Sequence, residues 1–163
     1  MTLNNLNKKA IAGAIVVLVI GGFWWYLSDK KFDPSVDVRT LKTASEFESY
    51  YKNLEELYKK DTYGGATPEE TLALFIDALK KGDTELASKY FVPEKQKQEA
   101  EDLRIGKEKG NLDFLIGYLE KAKLGKKFSE NQYRLTVVEN NTAVMSFDFL
   151  FNKYSDKWKI ESL

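Results

Sequence analysis

The chain has 163 residues, with 25 basic and 25 acidic side chains, and it contains neither cysteine nor histidine. Without cysteine the sequence has no disulfide, thiolate nucleophile, iron–sulfur cluster, thiolate zinc site or lipidated cysteine anchor. Without histidine it lacks the commonest general base and transition-metal ligand, so acid–base chemistry would rest on Asp, Glu, Tyr or Lys. The balanced charge gives no general attraction to nucleic acid, and we expect no nucleic-acid partner.

An uncharged run of nineteen residues, from Ala10 to Ser28, stands near the start of the chain. At about 1.5 Å per residue, a helix of this length crosses a hydrocarbon core of roughly 30 Å with little tilt. We therefore predict a transmembrane helix over residues 10–28 that contacts membrane lipid. Three amphipathic rings at its far end are predicted to lie at the membrane interface: Trp24, Trp25 and Tyr26.

The residues on either side of this run indicate its orientation. A tail over residues 1–9 holds Lys8, Lys9 and no acidic residue, which is typical of a cytoplasmic segment. The sequence thus predicts a single-pass signal anchor in the plasma (inner) membrane of a bacterial cell, with an extracytoplasmic C-terminal domain. Two alternatives remain open: a secretory signal cleaved after Val19-Ile20-Gly21, and a pilin-type leader.

Residues 29–66 are predicted to form a stalk that contains one helix. Thr43 and Glu46 fit a capping box, and the helix should continue to about Lys60. Its apolar residues recur at helical spacing, which predicts a stripe that packs on the domain or on a second chain. The stripe consists of Phe47, Tyr50, Tyr51, Leu54, Leu57 and Tyr58.

Helical patterns also fill the first half of the region 67–163. One helix begins at Thr67-Pro68-Glu69-Glu70 and ends at Gly82, and Asp83 caps a short second one that Pro93 ends. The charged stretch 94–109 is predicted to be a solvated helix or a mobile loop. A further helix is predicted from Asn111, with Gly125 as its stop.

The hydrophobic period then changes from 3.6 to 2, which indicates strands. Strands are predicted over residues 132–138, 142–151 and 157–163, with Asn140-Asn141 as a tight turn and Lys127-Phe128-Ser129 as a possible fourth strand. Helices followed by an antiparallel meander define an α+β fold.

Three stretches of the region 67–163 resemble a nuclear-transport-factor-2-like domain, a cone-shaped, cystatin-like α+β fold. They are the opening Thr67-Pro68-Glu69-Glu70 to Lys81-Gly82-Asp83, the segment Leu86-Ala87-Ser88-Lys89-Tyr90-Phe91, and the closing Asp156-Lys157-Trp158-Lys159-Ile160. The resemblance implies helices packed on a curved antiparallel sheet. The superfamily holds enzymes, secretion-system scaffolds and bacterial envelope proteins, so it implies no single activity.

The resemblance also implies a cone between helix 68–81 and the sheet, and apolar residues there are candidates for binding a small molecule. They are Phe75, Leu79, Tyr118, Phe147, Phe149 and Trp158. Asp148, inside an apolar strand, is the candidate general base if burial raises its pKa, and otherwise an exposed residue paired with Arg134 or Lys159. Glu101-Asp102 is an acidic doublet that fits a solvated face better than a cation site.

These patterns favour a non-catalytic protein without cofactor or metal. We expect a membrane-tethered domain that scaffolds or binds an envelope protein partner or forms a homodimer. Membrane tether, helical stalk and this fold occur together in the bitopic scaffold subunit of type IV secretion systems, which the chain resembles in architecture. Small-molecule binding in the apolar cone is the alternative.

Overall fold

The computed structural model describes residues 32–163 of the chain. Residues 33–163 form one compact unit. Between residues 32 and 163 no helix is both long and apolar enough to cross a bilayer. The predicted cytoplasmic tail 1–9, the predicted transmembrane helix 10–28 and the interface residues Trp24, Trp25 and Tyr26 lie outside the described residues.

The first long helix, α1, spans Ala44–Lys60 and follows a short 3-10 turn at Val38–Thr40. Its start is confirmed as a capping box: the Thr43 side chain accepts from the Glu46 amide, and the Glu46 carboxylate accepts from the Thr43 amide. Of the predicted stripe only Tyr50 is buried. The N-terminal half of α1 therefore covers little of the domain.

The next two helices begin where the sequence predicts. Helix α2 spans Pro68–Lys80 with Thr67 as its cap, and helix α3 spans Thr84–Ser88 with Asp83 as its cap. Gly82 has a φ of 67°, a left-handed conformation that glycine adopts without steric cost. Local capping chemistry thus fixes the break between these two helices.

The sequence leaves residues 94–109 open between a solvated helix and a mobile loop. The structure shows a helix, α4, over Gln96–Glu108. Helix α5 spans Leu112–Leu119, so the prediction that it stops at Gly125 is wrong. Gly125 instead belongs to the first strand, where a Cβ would lie 2.0 Å from the Tyr133 hydroxyl oxygen. The glycine is explained by this close approach rather than by a helix end.

Four strands follow: β1 Leu124–Ser129, β2 Gln132–Glu139, β3 Thr142–Asn152 and β4 Lys157–Ser162. They form one antiparallel sheet in the order β1-β2-β3-β4. The fourth strand predicted at Lys127-Phe128-Ser129 is therefore confirmed, and the fold is α+β. Asn140 and Asn141 have φ values of 51° and 62°, which match the tight turn predicted between β2 and β3.

The hydrophobic core lies between the helices and one face of this sheet. Helices α2, α3 and α5 meet strands β2, β3 and β4 around rings and aliphatic side chains that are almost fully shielded from solvent. The largest of them are Phe75, Phe91, Phe147, Phe149, Leu79, Leu119, Leu135 and Ile160. Burial of this apolar area is the main stabilising term of the domain.

Candidate functional site

The structure brings the six predicted ligand-binding residues together in the core. Phe75 and Leu79 on α2 and Phe147 and Phe149 on β3 are buried, while Tyr118 and Trp158 are half-buried against them. Neighbouring rings meet in edge-on or tilted pairs: Phe75 with Phe91 at 5.4 Å, Phe151 with Trp158 at 5.4 Å, and Tyr133 with Trp158 at 6.2 Å between centroids. The six residues thus pack in or against the core, and their ligand-binding role stays a prediction.

A buried lysine on β4 is the most unusual side chain of the domain. Lys159 is 0% exposed, and its ammonium group reaches both carboxylate oxygens of Asp61, at 3.0 and 2.8 Å. It also donates to the backbone carbonyls of Tyr63 at 3.0 Å and Lys89 at 2.6 Å. A charge this deep is tolerated only when it is paired and hydrogen-bonded, as it is here.

Two amides complete what we call the buried polar cluster, namely Asp61, Lys159, Gln96 and Asn152. The Gln96 amide donates to the Asp61 carboxylate at 2.8 Å and to the Phe91 carbonyl at 3.1 Å. The Asn152 amide donates to the carbonyl of Tyr58 at 2.8 Å. The cluster therefore joins the end of α1 to the start of α4 and to strands β3 and β4.

A tyrosine and a glutamate adjoin this cluster. The Tyr58 hydroxyl donates to Glu94 Oε1 at 3.1 Å, and within the described part of the chain Glu94 Oε2 is buried without a hydrogen-bond partner. Burial, and then the charge of Glu94, raise the pKa of Tyr58 well above its usual value. This hydroxyl is held as a hydrogen-bond donor.

The contacts of Lys159 within the buried polar cluster do not suit a nucleophilic amine. Burial lowers the pKa of Lys159, and the charge and hydrogen bond of Asp61 oppose that shift. An amine nucleophile needs an open approach for its substrate, yet this amine already donates to Asp61 and two carbonyls. The arrangement acts as a structural joint.

The pairing of Lys159 with Asp61 is not predicted from the sequence. Strand alternation places Lys159 opposite the inward-facing Trp158 and Ile160, and nothing local indicates that the end of α1 covers that face. The partner, Asp61, lies 98 residues away in sequence. The signal available was modest: a lysine within an apolar strand, and an acidic residue directly after an amphipathic helix.

Asp148, the candidate base, is held in an ion pair on the face of the sheet opposite Phe147 and Phe149. Arg134 donates to its two oxygens at 2.5 and 2.9 Å, and Ser162 donates at 3.3 Å. The hydrogen bonds from Arg134 lower the pKa of Asp148, which is opposite to the shift that a general base near neutral pH needs. The pairing with Arg134 is confirmed, and the alternative pairing with Lys159 is wrong because Asp61 binds that lysine.

The acidic doublet Glu101-Asp102 is exposed on α4. Glu101 pairs with Arg104 at 2.7 Å, and Asp102 accepts from Gln98 at 3.0 Å. Across residues 32–163 no group of three or more acidic side chains is arranged to hold a metal ion.

Two aromatic side chains on α1 face solvent on the same side of the helix. Phe47 is 36% exposed and Tyr51 is 55% exposed, and residues four apart lie one turn above each other. We call Phe47 and Tyr51 the α1 aromatic face. Adjacent to it, Tyr50 is buried, and its hydroxyl donates to the Pro34 carbonyl at 2.8 Å, which fixes the orientation of this half of α1.

The two edges of the sheet differ. Outside β4, Val92 donates to the Ile160 carbonyl at 3.0 Å, and Ile160 donates to the Tyr90 carbonyl at 2.8 Å, so the segment after α3 covers that edge. Outside β1, the described part of the chain supplies no hydrogen-bonded neighbour. Residues 125–129 are all exposed.

No protein-family model matches this chain, and neither a curated protein nor a solved structure is detectably similar to it.

Proposed function

We propose that the protein is a single-pass membrane protein whose extracytoplasmic domain is a non-catalytic scaffold that binds an envelope partner. The uncharged run 10–28 supports the membrane anchor. The α1 aromatic face supports partner binding and is the observation that carries it. Large aromatic side chains are enriched at interfaces because each removes much apolar area from water.

The nuclear-transport-factor-2-like fold is part of the same proposal. Capped helices followed by a four-stranded antiparallel sheet, with a core between α2 and the sheet, support it. Folds of this kind host many activities, so the proposed role rests on the surface of the domain.

The ion pairs and hydrogen bonds of the polar groups support a non-catalytic role. Asp148 is paired with Arg134, and the Lys159 ammonium is shared among Asp61 and two carbonyls. Both groups that sequence and burial single out for chemistry therefore have structural partners. Small-molecule binding has less support, since two of the rings proposed to line the cone are already packed against other rings: Phe75 edge-on against Phe91, and Trp158 tilted against Phe151.

The test is photo-crosslinking in intact cells with a benzophenone amino acid placed at position 47 or 51. We expect the chain in the membrane fraction, with a discrete adduct from both positions. Position 114 is the matched control, because Phe114 is an aromatic residue on α5 that is 69% exposed. An adduct of twice the chain mass identifies a second copy as the partner, and a larger or smaller one identifies another protein.

Two results would contradict the proposal. A chain recovered only in the soluble fraction would remove the anchor. Adducts equally frequent at 47, 51 and 114, or none at all, would remove the α1 aromatic face as a binding surface.

A further inference from the structure

The open edge of β1 is the second surface that the described fold leaves without a neighbour. In an antiparallel sheet, the backbone N–H and C=O groups of alternate edge residues point away from the sheet. The chain covers its β4 edge with residues 90–92 and leaves β1 uncovered within residues 32–163. These backbone groups are donors and acceptors that an added strand would satisfy.

The edge is regular enough to pair. Four consecutive residues of β1 are in register with β2: Leu124 with Thr136, Gly125 with Leu135, Lys126 with Arg134, and Lys127 with Tyr133. The irregularity falls after Lys127, near the hairpin. An extended segment of four to six residues would therefore meet an uninterrupted row of backbone groups.

The charge of the edge selects the occupant. Lys123, Lys126 and Lys127 lie on or just before β1, and none of them forms a salt bridge within the described residues. In contrast, Lys121 is neutralised by Glu139 at 2.8 Å. The edge therefore carries a local positive charge.

This charge argues against a second copy as the occupant. Antiparallel pairing of two β1 edges would bring Lys126 and Lys127 of both copies together, and like charges on adjacent strands oppose pairing. The same lysines attract acidic side chains. Because Lys126 and Lys127 are consecutive, they point to opposite faces of the sheet. A strand with acidic residues on either face meets one of them.

We propose that the β1 edge binds an extended acidic peptide segment of a partner protein by strand addition. Backbone hydrogen bonds to Leu124–Lys127 would supply the pairing, and the three lysines would select for acidic sequence. Phe128, 52% exposed beside Lys126, offers an apolar contact at the end of the strand. The proposal goes beyond the partner-binding role above, because it adds to the α1 aromatic face a second binding surface for a partner of stated chemistry.

The test uses the whole chain in detergent and three fluorescein-labelled ten-residue peptides. One alternates glutamate with valine, one alternates lysine with valine, and the third is the glutamate peptide with alternate backbone amides N-methylated. Fluorescence anisotropy measures affinity, and hydrogen exchange measures protection of each β1 amide. We expect the glutamate peptide to bind at least tenfold more tightly than either control and to slow exchange in residues 124–129 only.

Charge reversal supplies the matched variants. The double substitution Lys126→Glu and Lys127→Glu should reverse the preference, so that the lysine peptide binds more tightly. The control double substitution Lys52→Glu and Lys109→Glu changes net charge equally at two exposed sites, one on α1 and one just after α4, and should leave the preference unchanged.

Three results would overturn the proposal. Equal binding of the glutamate and N-methylated peptides would show that no strand is added. Equal loss of binding in both double variants would show attraction to net charge alone. Protection of β1 in a dimer without peptide would make a second copy the occupant. None of these readouts depends on crosslinks from positions 47 and 51, so this proposal and the proposed function can fail separately.

Discussion

At the scale of single residues, Lys159 shows how a buried charge ties distant segments together. The ammonium group contacts Asp61 and the carbonyls of Tyr63 and Lys89, which lie in the loop after α1 and just after α3. Each contact compensates part of the cost of removing the charge from water. The lysine is therefore tolerated because the surrounding segments are in place, and its removal leaves those segments unpaired.

We predict that Lys159→Met lowers the free energy of unfolding by about 3–5 kcal/mol, because Asp61 becomes a buried carboxylate without its cation. Lys157→Met is the control, since Lys157 is only half-buried on the same strand and has no ion pair among the described residues. It should change stability by no more than about 0.5 kcal/mol. Urea unfolding of both variants measures the difference, and equal effects would contradict the role assigned to the cluster.

At the scale of elements, the starts of the helices are predictable because their determinants are local. Thr43, Thr67 and Asp83 each cap a helix within three residues of their own position. Helix ends depend more on what the chain does next. The sequence predicts a helix stop at Gly125 because glycine commonly ends helices, whereas the structure explains this glycine by the Tyr133 ring on the neighbouring strand.

This contact gives a prediction for the β1–β2 pair. Gly125→Ala gains about 0.5–1 kcal/mol from lower backbone entropy in the unfolded chain. However, its Cβ would lie 2.0 Å from the Tyr133 hydroxyl oxygen and 2.7 Å from the ring carbon that bears it. Overpacking of this kind costs about 1–3 kcal/mol, so the substitution should destabilise the protein.

The control is Gly117→Ala in α5, where the added Cβ would have no described atom from outside its own helical turn within 4 Å. It should stabilise the protein by about 0.5–1 kcal/mol, because alanine favours helix over glycine. Thermal melts of the two variants should shift in opposite directions. Stabilisation by Gly125→Ala would mean that the Tyr133 ring moves aside without cost.

At the scale of the whole molecule, the sequence predicts the core better than the joint. Helical and strand periodicity identify Phe75, Phe147 and Phe149 as inward-facing, because a residue's face follows from its immediate neighbours. The pairing of Asp61 with Lys159 joins residues 98 apart, and no periodic pattern encodes it. The exposure of Phe47 and Tyr51 is likewise not predictable from the local sequence. Periodicity shows that a helix has an apolar stripe, but it does not show which distant segment covers that stripe.

The joint also bears on where the domain begins. The sequence suggests a stalk over 29–66 and a domain from residue 67, yet residues before 67 supply Asp61, the Tyr63 carbonyl and the Gly65 carbonyl that accepts from Trp158 at 3.0 Å. A chain that starts at residue 67 loses all three contacts to β4. We therefore expect it to melt about 12 °C below a chain that starts at residue 33, taking ~1 kcal/mol for each of the three lost contacts and ~4 °C per kcal/mol.

Combining this truncation with Lys159→Met distinguishes the stabilising effect of the Asp61–Lys159 pair from the effect of the other contacts that the truncation removes. In the chain from residue 33, the substitution leaves the Asp61 carboxylate without its cation and should lower the free energy of unfolding by about 3–5 kcal/mol. In the chain from residue 67, Asp61 is absent and water reaches the lysine, so the substitution should cost less than about 1 kcal/mol. Such non-additivity is the signature of a direct interaction. Equal costs of the substitution in both backgrounds would mean that Asp61 and Lys159 are not coupled. Equal melting temperatures of the two chains would mean that residues 33–66 contribute nothing to the domain's stability.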